Sequence, residues 1–318
     1  MALYLVTGGA GFIGSNLVRY LLRRGDDVRV LDNFSTGKRE NLQEIADRIE
    51  LVEGDLCDTE KVRQAVGQVD YILHQAALPS VPRSVELPLE SHAANATGTL
   101  TLLQAARDAK VRRLVYASSS SAYGANETLP KQESMLTEPL SPYAVAKLAA
   151  EHYCLVFHRL YGLETVALRY FNVFGPRQDP NSPYSGVISQ FIDAIKSCKS
   201  PVIFGDGGQT RDFTYIDNVT QANLAACHSG KGVGGVFNIG CGKSFSVKEL
   251  WESMAALAGA HTTAEHREPR PGDVRHSLAD ITRAKVDLGY DPRVDFAEGL
   301  KRTLDFYGVL RKGEHAGR

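Results

Sequence analysis

The chain has 318 residues, 43% of them hydrophobic and 23% charged, with 29 glycines and 13 prolines. That composition leaves room for a sizeable core and excludes a disordered, collagen-like or membrane-embedded polypeptide. Lys plus Arg number 36 against 37 Asp plus Glu, a net charge of -1, so no basic field exists to hold a polyphosphate backbone and nucleic acid is not an expected partner.

The stretch Ala2 to Val6 is apolar but too short for a signal-peptide core or a membrane span, and reads as a buried first strand. Further runs rich in Val, Leu and Ile follow at Val28 to Leu31, Leu51 to Val52, Tyr71 to Leu73, Leu114 to Ala117 and Val166 to Leu168. Each has the look of a buried strand. Between them lie segments of helical spacing, such as Ile13, Leu17, Leu21 and Leu100, Leu103, Ala106. Strand and helix thus alternate through the first half, which predicts an α/β fold: a doubly wound parallel sheet covered on both faces. Beyond Arg169 the pattern loosens. Asn172 to Gly186 and Ser200 to Arg211 are loop-like, short strands are expected at Val202 to Phe204 and Val236 to Ile239, and helices at Gly186 to Ser197, Val247 to Ala258 and Phe296 to Tyr307. This suits a smaller mixed α/β domain packed over the strand ends. The polar tail from Arg311 to Arg318 is expected to fray.

The first strand runs into Thr7-Gly8-Gly9-Ala10-Gly11-Phe12-Ile13-Gly14, and a helix follows. Gly8, Gly11 and Gly14 permit a tight turn, close approach of the backbone to a pyrophosphate, and close helix packing. The helix start at Phe12 and Ile13 supplies unpaired N–H groups. Asp32 ends the next apolar run, where a carboxylate accepts from both ribose hydroxyls of an adenosine. A 2′-phosphate would be repelled there, so the cofactor reads as NAD rather than NADP. Asn33 belongs to the same strand end, and Asp55 and Leu56, after the third strand, are placed to flank the adenine.

Tyr143 and Lys147 stand four apart behind Ser141-Pro142, an N-cap followed by a first helical residue, and so share one helix face. An ammonium beside the phenol, joined by the charge of an oxidised nicotinamide, is expected to lower the tyrosine pKa and make Tyr143 a general base. The strand Leu114 to Ala117 ends in Ser118 to Ser121, placing hydroxyls at the carboxyl end of the sheet. The five cysteines are odd in number with no C-x-x-C pair, and none of the nine histidines has ligand spacing. No disulfide framework and no metal are expected, and a reducing, cytoplasmic setting suits the thiols.

Taken together, TGGAGFIG, Asp32, SSSSAYG, SPYAVAK and RYFNVFGPRQDP resemble the extended short-chain dehydrogenase/reductase superfamily, and the likeness runs along nearly the whole chain. AALPSVPRS, SPYAVAKLAAEHY and GDGGQTRDFTYIDN are most similar to UDP-hexose 4-epimerases, in particular those acting on UDP-N-acetylglucosamine. The resemblance implies a Rossmann-like NAD-binding domain from residues 1–172 plus about 213–240, and a substrate domain from about 173–212 and 241–318. It implies that Tyr143 takes the proton of the sugar 4-hydroxyl while hydride passes to NAD, giving a 4-keto sugar that turns over and is reduced on its other face. Ser119, with Ser120 adjoining it, would bind the 4-oxygen, and Lys147 the nicotinamide ribose.

For the UDP-sugar, the same resemblance implies contacts from Ser80, Arg83 and Asn172, with Arg211 and Arg270 on the pyrophosphate. Ser277 matches a position where epimerases restricted to non-acetylated hexoses carry a bulky Tyr, and a serine leaves room for an acetamido group. Ser120 and Ser121 stand where related dehydratases and decarboxylases carry acids, which disfavours elimination of water. A homodimer through a four-helix bundle is implied, with Ala93 to Asp108 and Tyr143 to Tyr161 as candidate helices. The rival readings are a UDP-glucuronate epimerase or decarboxylase on the same scaffold, and a non-catalytic NAD-sensing regulator.

Overall fold

Alternation in the first strand decides the architecture. β1 (Leu3–Thr7) sends Tyr4 and Val6 into one apolar cluster and Leu5 into another, with all three buried. A strand buried on both faces needs helices above and below it. The computed structural model, which describes residues 1–179, 186–268 and 274–310, supplies them.

Beside β1 lie β2 (Asp27–Asp32), β3 (Glu50–Glu53), β4 (Tyr71–His74), β5 (Arg113–Ser119), β6 (Glu164–Tyr170) and the strand Val236–Ile239. They form one seven-stranded sheet in the order Val236–Ile239, β6, β5, β4, β1, β2, β3. Every neighbouring pair is parallel. The chain therefore moves outward from β1 to β3, then crosses back to lay β4 on the other side of β1. Such a reversal opens a crevice at the carboxyl ends of β1 and β4, the usual ligand position in a doubly wound sheet.

All six apolar runs expected in the first half became strands of this sheet. The third departs from expectation in its burial: Leu51 in β3 is 42% exposed. β3 is the sheet's edge, so its outward groups have no neighbour to cover them.

α1 (Phe12–Arg24) packs Leu17 and Leu21, both fully buried, under the sheet. Each such side chain contributes roughly 1.5–3 kcal/mol through removal from water. Gly25, in the left-handed region at φ 82°, ends the helix and donates its N–H to Leu21 and Leu22 carbonyls. On the opposite face lie the helices Thr59–Val66, Gly98–Asp108 and Pro142–Tyr161. The last begins as its sequence predicts, with Ser141 capping the Ala144 N–H and Pro142 in the first turn. The expected helix from Ala93 starts as a π-helical stretch, Ala93–Thr97, before continuing as Gly98–Asp108. Two short helices, Val81–Glu86 and Pro88–His92, precede it where the sequence reading marked only a motif.

In the C-terminal half the three expected helices occur at Val187–Lys196, Val247–Ala258 and Phe296–Phe306. Three small two-stranded sheets tie the loops: Val173–Phe174 with Thr214–Tyr215, Thr210–Arg211 with Phe245–Ser246, and Val202–Phe204 with Glu265–Arg267. The tail 311–318 lies outside the described residues. Among those residues, no helix is long and apolar enough to cross a membrane.

Ser141 is buried and its hydroxyl lies 3.2 Å from the Ala144 amide at the start of the helix that carries Tyr143. Exchange of this cap for alanine (S141A) is expected to cost about 1 kcal/mol, read as a lowered urea midpoint with an unchanged slope.

Candidate active site

At the end of β1 the Gly8 N–H bonds the Leu31 carbonyl at 2.8 Å, and Gly11 N–H turns back to the Gly8 carbonyl at 3.0 Å. Side chains have no room in this turn. A Cβ on Gly14 would lie 2.1 Å from the Gly8 oxygen, and one on Gly8, whose φ is +68°, would lie 2.7 Å from the Ala76 backbone. Gly11 is the N-cap of α1 and offers no capping side chain, so the first-turn amides at Phe12 and Ile13 stay available to an anion.

Asp32, 7% exposed, accepts from the Ala10 amide at 2.9 Å and the Phe34 amide at 2.8 Å. Burial nevertheless raises its pKa, with those two hydrogen bonds acting in the opposite direction. The next strand end is laced to it: Gly54 N–H bonds the Asp32 carbonyl at 3.1 Å and Asn33 Nδ2 reaches Asp55 at 2.6 Å. Leu56 is buried beneath. The glycine cradle, the free amides and the paired carboxylate fit a dinucleotide with unmodified adenosine ribose hydroxyls. Sequence reasoning placed all of these residues in one region, and the fold brings them together.

Below the same loop His74 is fully buried between two hydroxyls, with Thr7 Oγ1 2.7 Å from Nδ1 and Thr99 Oγ1 2.9 Å from Nε2. Thr99 donates its proton to the Asn95 carbonyl at 2.6 Å, so its oxygen accepts from Nε2–H and Thr7 donates to Nδ1. Burial pushes the imidazole pKa down to about 3 and keeps it neutral. This locks the ends of β1 and β4 at the crevice. The sequence reading passed over His74, whose apolar surroundings signalled only a strand.

Across the crevice Ser119 ends β5, pairing with Tyr170 of β6. Its Oγ accepts from the Ser121 amide at 3.1 Å and the Ser121 hydroxyl at 2.8 Å, and Ser119 is the neighbour whose hydroxyl lowers the Tyr143 pKa. With Ser121 donating twice, the Ser119 proton is left for another acceptor. A donor there favours phenolate. Ser120 lies in the following turn, Ser120–Tyr123, one residue past Ser119.

Lys147 is 3% exposed, with its ammonium 4.4 Å from the centre of the Tyr116 ring. Burial pushes its pKa down to about 7. The sequence reading expects the lysine and the charge of an oxidised nicotinamide together to lower the Tyr143 pKa. From the protein groups alone, burial raises the phenol above 10.0, and the influence opposing it comes from Ser119. Desolvation penalises the phenolate and the ammonium alike, so neither charge is sustained by the pair alone.

On the C-terminal side a cavity of about 180 Å³ is bounded by Asn172, Val187, Gln190, Phe204, Gln209 and Arg211, among others. Asn172 and Arg211, chosen from sequence, thus face one space; Gln190 and Phe204 carried no sequence signal. Ser277 is drawn beside them by its N–H bond to the Thr210 carbonyl at 3.1 Å. Asp212, fully buried, holds this end together by accepting from the amides of Cys241 (2.7 Å), Gly242 (2.9 Å) and Ala279 (3.2 Å). Burial pushes its pKa up to about 6.

Ser80 caps the helix Val81–Glu86 by accepting from the Arg83 amide at 3.0 Å, and the Arg83 guanidinium pairs with Glu90 at 3.2 Å. The structure gives these two residues local partners, while Arg270 lies outside the described residues.

A parallel sheet with a glycine cradle on one side of its crevice and a Ser–Tyr–Lys arrangement on the other defines a dinucleotide-dependent enzyme of the short-chain dehydrogenase/reductase type. Comparison narrows the class. Residues 4–240 match the model of the NAD dependent epimerase/dehydratase family. The UDP-glucose 4-epimerase of Mycolicibacterium smegmatis is 42% identical over 308 residues, 95% of this chain and 97% of that protein. A UDP-N-acetylglucosamine 4-epimerase from Methanobrevibacter ruminantium, solved in complex with UDP-N-acetylmuramic acid, superposes with a TM-score of 0.92 at 40% identity, covering 96% of this chain and 98% of that one. The UDP-glucose 4-epimerase of Thermus thermophilus, solved with NAD, gives a TM-score of 0.88 at 38% identity, covering 96% and 99%. The chain belongs to the NAD dependent epimerase/dehydratase family, whose dinucleotide the cradle and Asp32 fit.

Lys147 offers a direct check on its burial. Its folded pKa of about 7 lies below its ordinary 10.5, so between these values the unfolded chain binds the extra proton and rising pH favours the folded state. Without added NAD, stability to urea is expected to increase from pH 7 to about pH 9, and K147M to flatten that slope.

Proposed function

We propose that the protein is an NAD-dependent 4-epimerase of UDP-sugars that interconverts UDP-GlcNAc and UDP-GalNAc, with UDP-Glc and UDP-Gal as a second pair. The observation that carries this reading is the Tyr143 phenol, influenced by Ser119 at the carboxyl end of the sheet, on the same helix face as Lys147 and across the crevice from the glycine cradle.

NAD, when bound, takes hydride from the sugar C4 and returns it. Asp32 holds the adenosine ribose, the first-turn amides of α1 hold the pyrophosphate, and Lys147 holds the nicotinamide ribose. Tyr143 accepts the proton of the 4-hydroxyl, and Ser119 donates to the same oxygen, steadying it as the C–O bond becomes a carbonyl. The 4-keto sugar turns about its pyrophosphate link and presents its other face. Tyr143 then gives the proton back as hydride returns to C4, so each turnover inverts one centre and consumes nothing. Ser120 stands where a dehydratase would need an acid, and epimerisation has no use for one.

The cavity beside Asn172 and Arg211 suits the nucleotide, with Arg211 serving its pyrophosphate; on the resemblance, Arg270 joins Arg211 there and Ser80 and Arg83 serve the sugar. We place these residues in a substrate unit of about 173–212 and 241–318. The small side chain of Ser277 leaves space at the sugar end. The outer face of the Pro142–Tyr161 helix exposes Val145, Val156, Leu160 and Tyr161, and Leu89 beside it is 84% exposed. That stripe supports a homodimer built through paired helices.

Pure protein incubated without added NAD and with UDP-GlcNAc or UDP-Glc is expected to form the C-4 epimer of each. No epimer from either sugar, even with NAD supplied, overturns the reading. Y143F should lower kcat by about 10²–10⁴-fold while still binding UDP-sugar. Exchange of the pocket serine for tyrosine (S277Y) should depress kcat/KM for UDP-GlcNAc at least tenfold more than for UDP-Glc, measured in parallel assays.

A further inference from the structure

Eight residues beyond Tyr143 and four beyond Lys147, on the same face of the helix, stands Glu151, a carboxylate only 1% exposed. Three elements meet on it. Ser118, which precedes the Ser119 that influences Tyr143, donates its hydroxyl to Glu151 Oε2 at 2.6 Å. Arg169 of β6 donates Nε to the same oxygen at 2.9 Å and an Nη to Oε1 at 2.7 Å, a two-pronged pair with both partners buried. The guanidinium in turn lies 4.8 Å from the centre of the Tyr123 ring, and the Tyr123 hydroxyl donates to Asn238 Oδ1 at 2.6 Å in the strand beyond β6.

We infer that Glu151 is a positioning residue for the Tyr143 site: its buried carboxylate, gripped by Ser118 and Arg169, fixes the register of the Tyr143–Lys147 helix against the end of β5. A buried ion pair is weak support for stability, because desolvation offsets its attraction. It does fix geometry, since its two-pronged contact and the serine hydroxyl tolerate one arrangement of helix, β5 and β6. Ser119 adjoins Ser118, and Lys147 and Tyr143 adjoin Glu151 by one and two helical turns, so displacement of the carboxylate moves both sides of the site.

The charge has a separate effect. Lys147 is faced by Glu151 and Cys154 from its own helix, by Tyr116 from β5, by His74 from β4 and, through Glu151, by Arg169 from β6. Burial drives the ammonium toward its neutral form and the Glu151 charge opposes that. Loss of the carboxylate leaves Lys147 neutral at a lower pH, which withdraws a cation one helical turn from the oxygen on which phenolate must form.

This inference rests on Tyr143 being the base, and the experiment separates the two. E151Q leaves the Arg169 cation buried without its partner and risks unfolding, so the principal variant is the double exchange E151M/R169M, which removes both charges together. S118A, with both charges retained, is the companion. In the holoenzyme the double variant is expected to keep a cooperative melt, to hold KM within about threefold, and to move the acid limb of kcat/KM upward by roughly one pH unit, so that raising the pH recovers the rate. S118A should shift the limb the same way by less. NMR titration of Lys147, assigned with K147M, should show its midpoint falling in the double variant whether or not Tyr143 is the base. A folded double variant with a wild-type limb and a wild-type lysine midpoint overturns the inference. Should the double variant not fold, an unshifted S118A overturns it. Wild-type turnover by Y143F refutes the base assignment instead, and the lysine midpoint still decides the role of Glu151.

Discussion

Backbone pressed against backbone at the end of β1 is the constraint on which the rest of the molecule depends. Gly14 leaves no room for even a methyl group above the Gly8 carbonyl, and Gly8 leaves none beside Ala76. The close fit brings the first turn of α1 over the carboxyl ends of β1 and β4, where the strand order reverses. Its amides consequently open into the crevice rather than onto the surface. The His74 bridge between Thr7 and Thr99 fastens those two strand ends from below without placing a charge there.

Against this fixed floor, the groups proposed to react sit on elements whose own positions are over-determined. Tyr143 and Lys147 follow from a helix capped by Ser141 and tied at Glu151, while Ser119 follows from β5 and its pairing with β6. Burial is the dominant influence on every titrating group in the crevice, raising Asp32 and Tyr143 and lowering Lys147 and His74. A site that disfavours charge on both members of a base and ammonium pair is poised to respond to a cationic ring entering it.

What could be read from the sequence was local. The glycine spacing, Asp32 one strand later and the Ser-Pro start before Tyr143 each encode their structure within a few residues, and each appears where expected. Features set by distant segments were not legible. Gln190 and Phe204 join Asn172 only when the C-terminal half folds over the sheet ends, and nothing in their own neighbourhoods signals it. The burial that raises the Tyr143 pKa was not legible either, because the lysine is visible four residues away whereas burial is a property of the whole crevice. Leu51 looked like core for the related reason that a run of apolar residues does not reveal whether a strand lies inside a sheet or at its edge.

The junction at Asp212 has a consequence for how such a pocket can change. One carboxylate gathers two other segments, Cys241–Gly242 and Ala279, onto its own, and it does so entirely through peptide N–H groups, which every residue but proline possesses. The side chain of Ser277, two residues from the Ala279 amide, bears none of this joinery, so it can be exchanged for a larger or smaller one while the junction beneath keeps its shape.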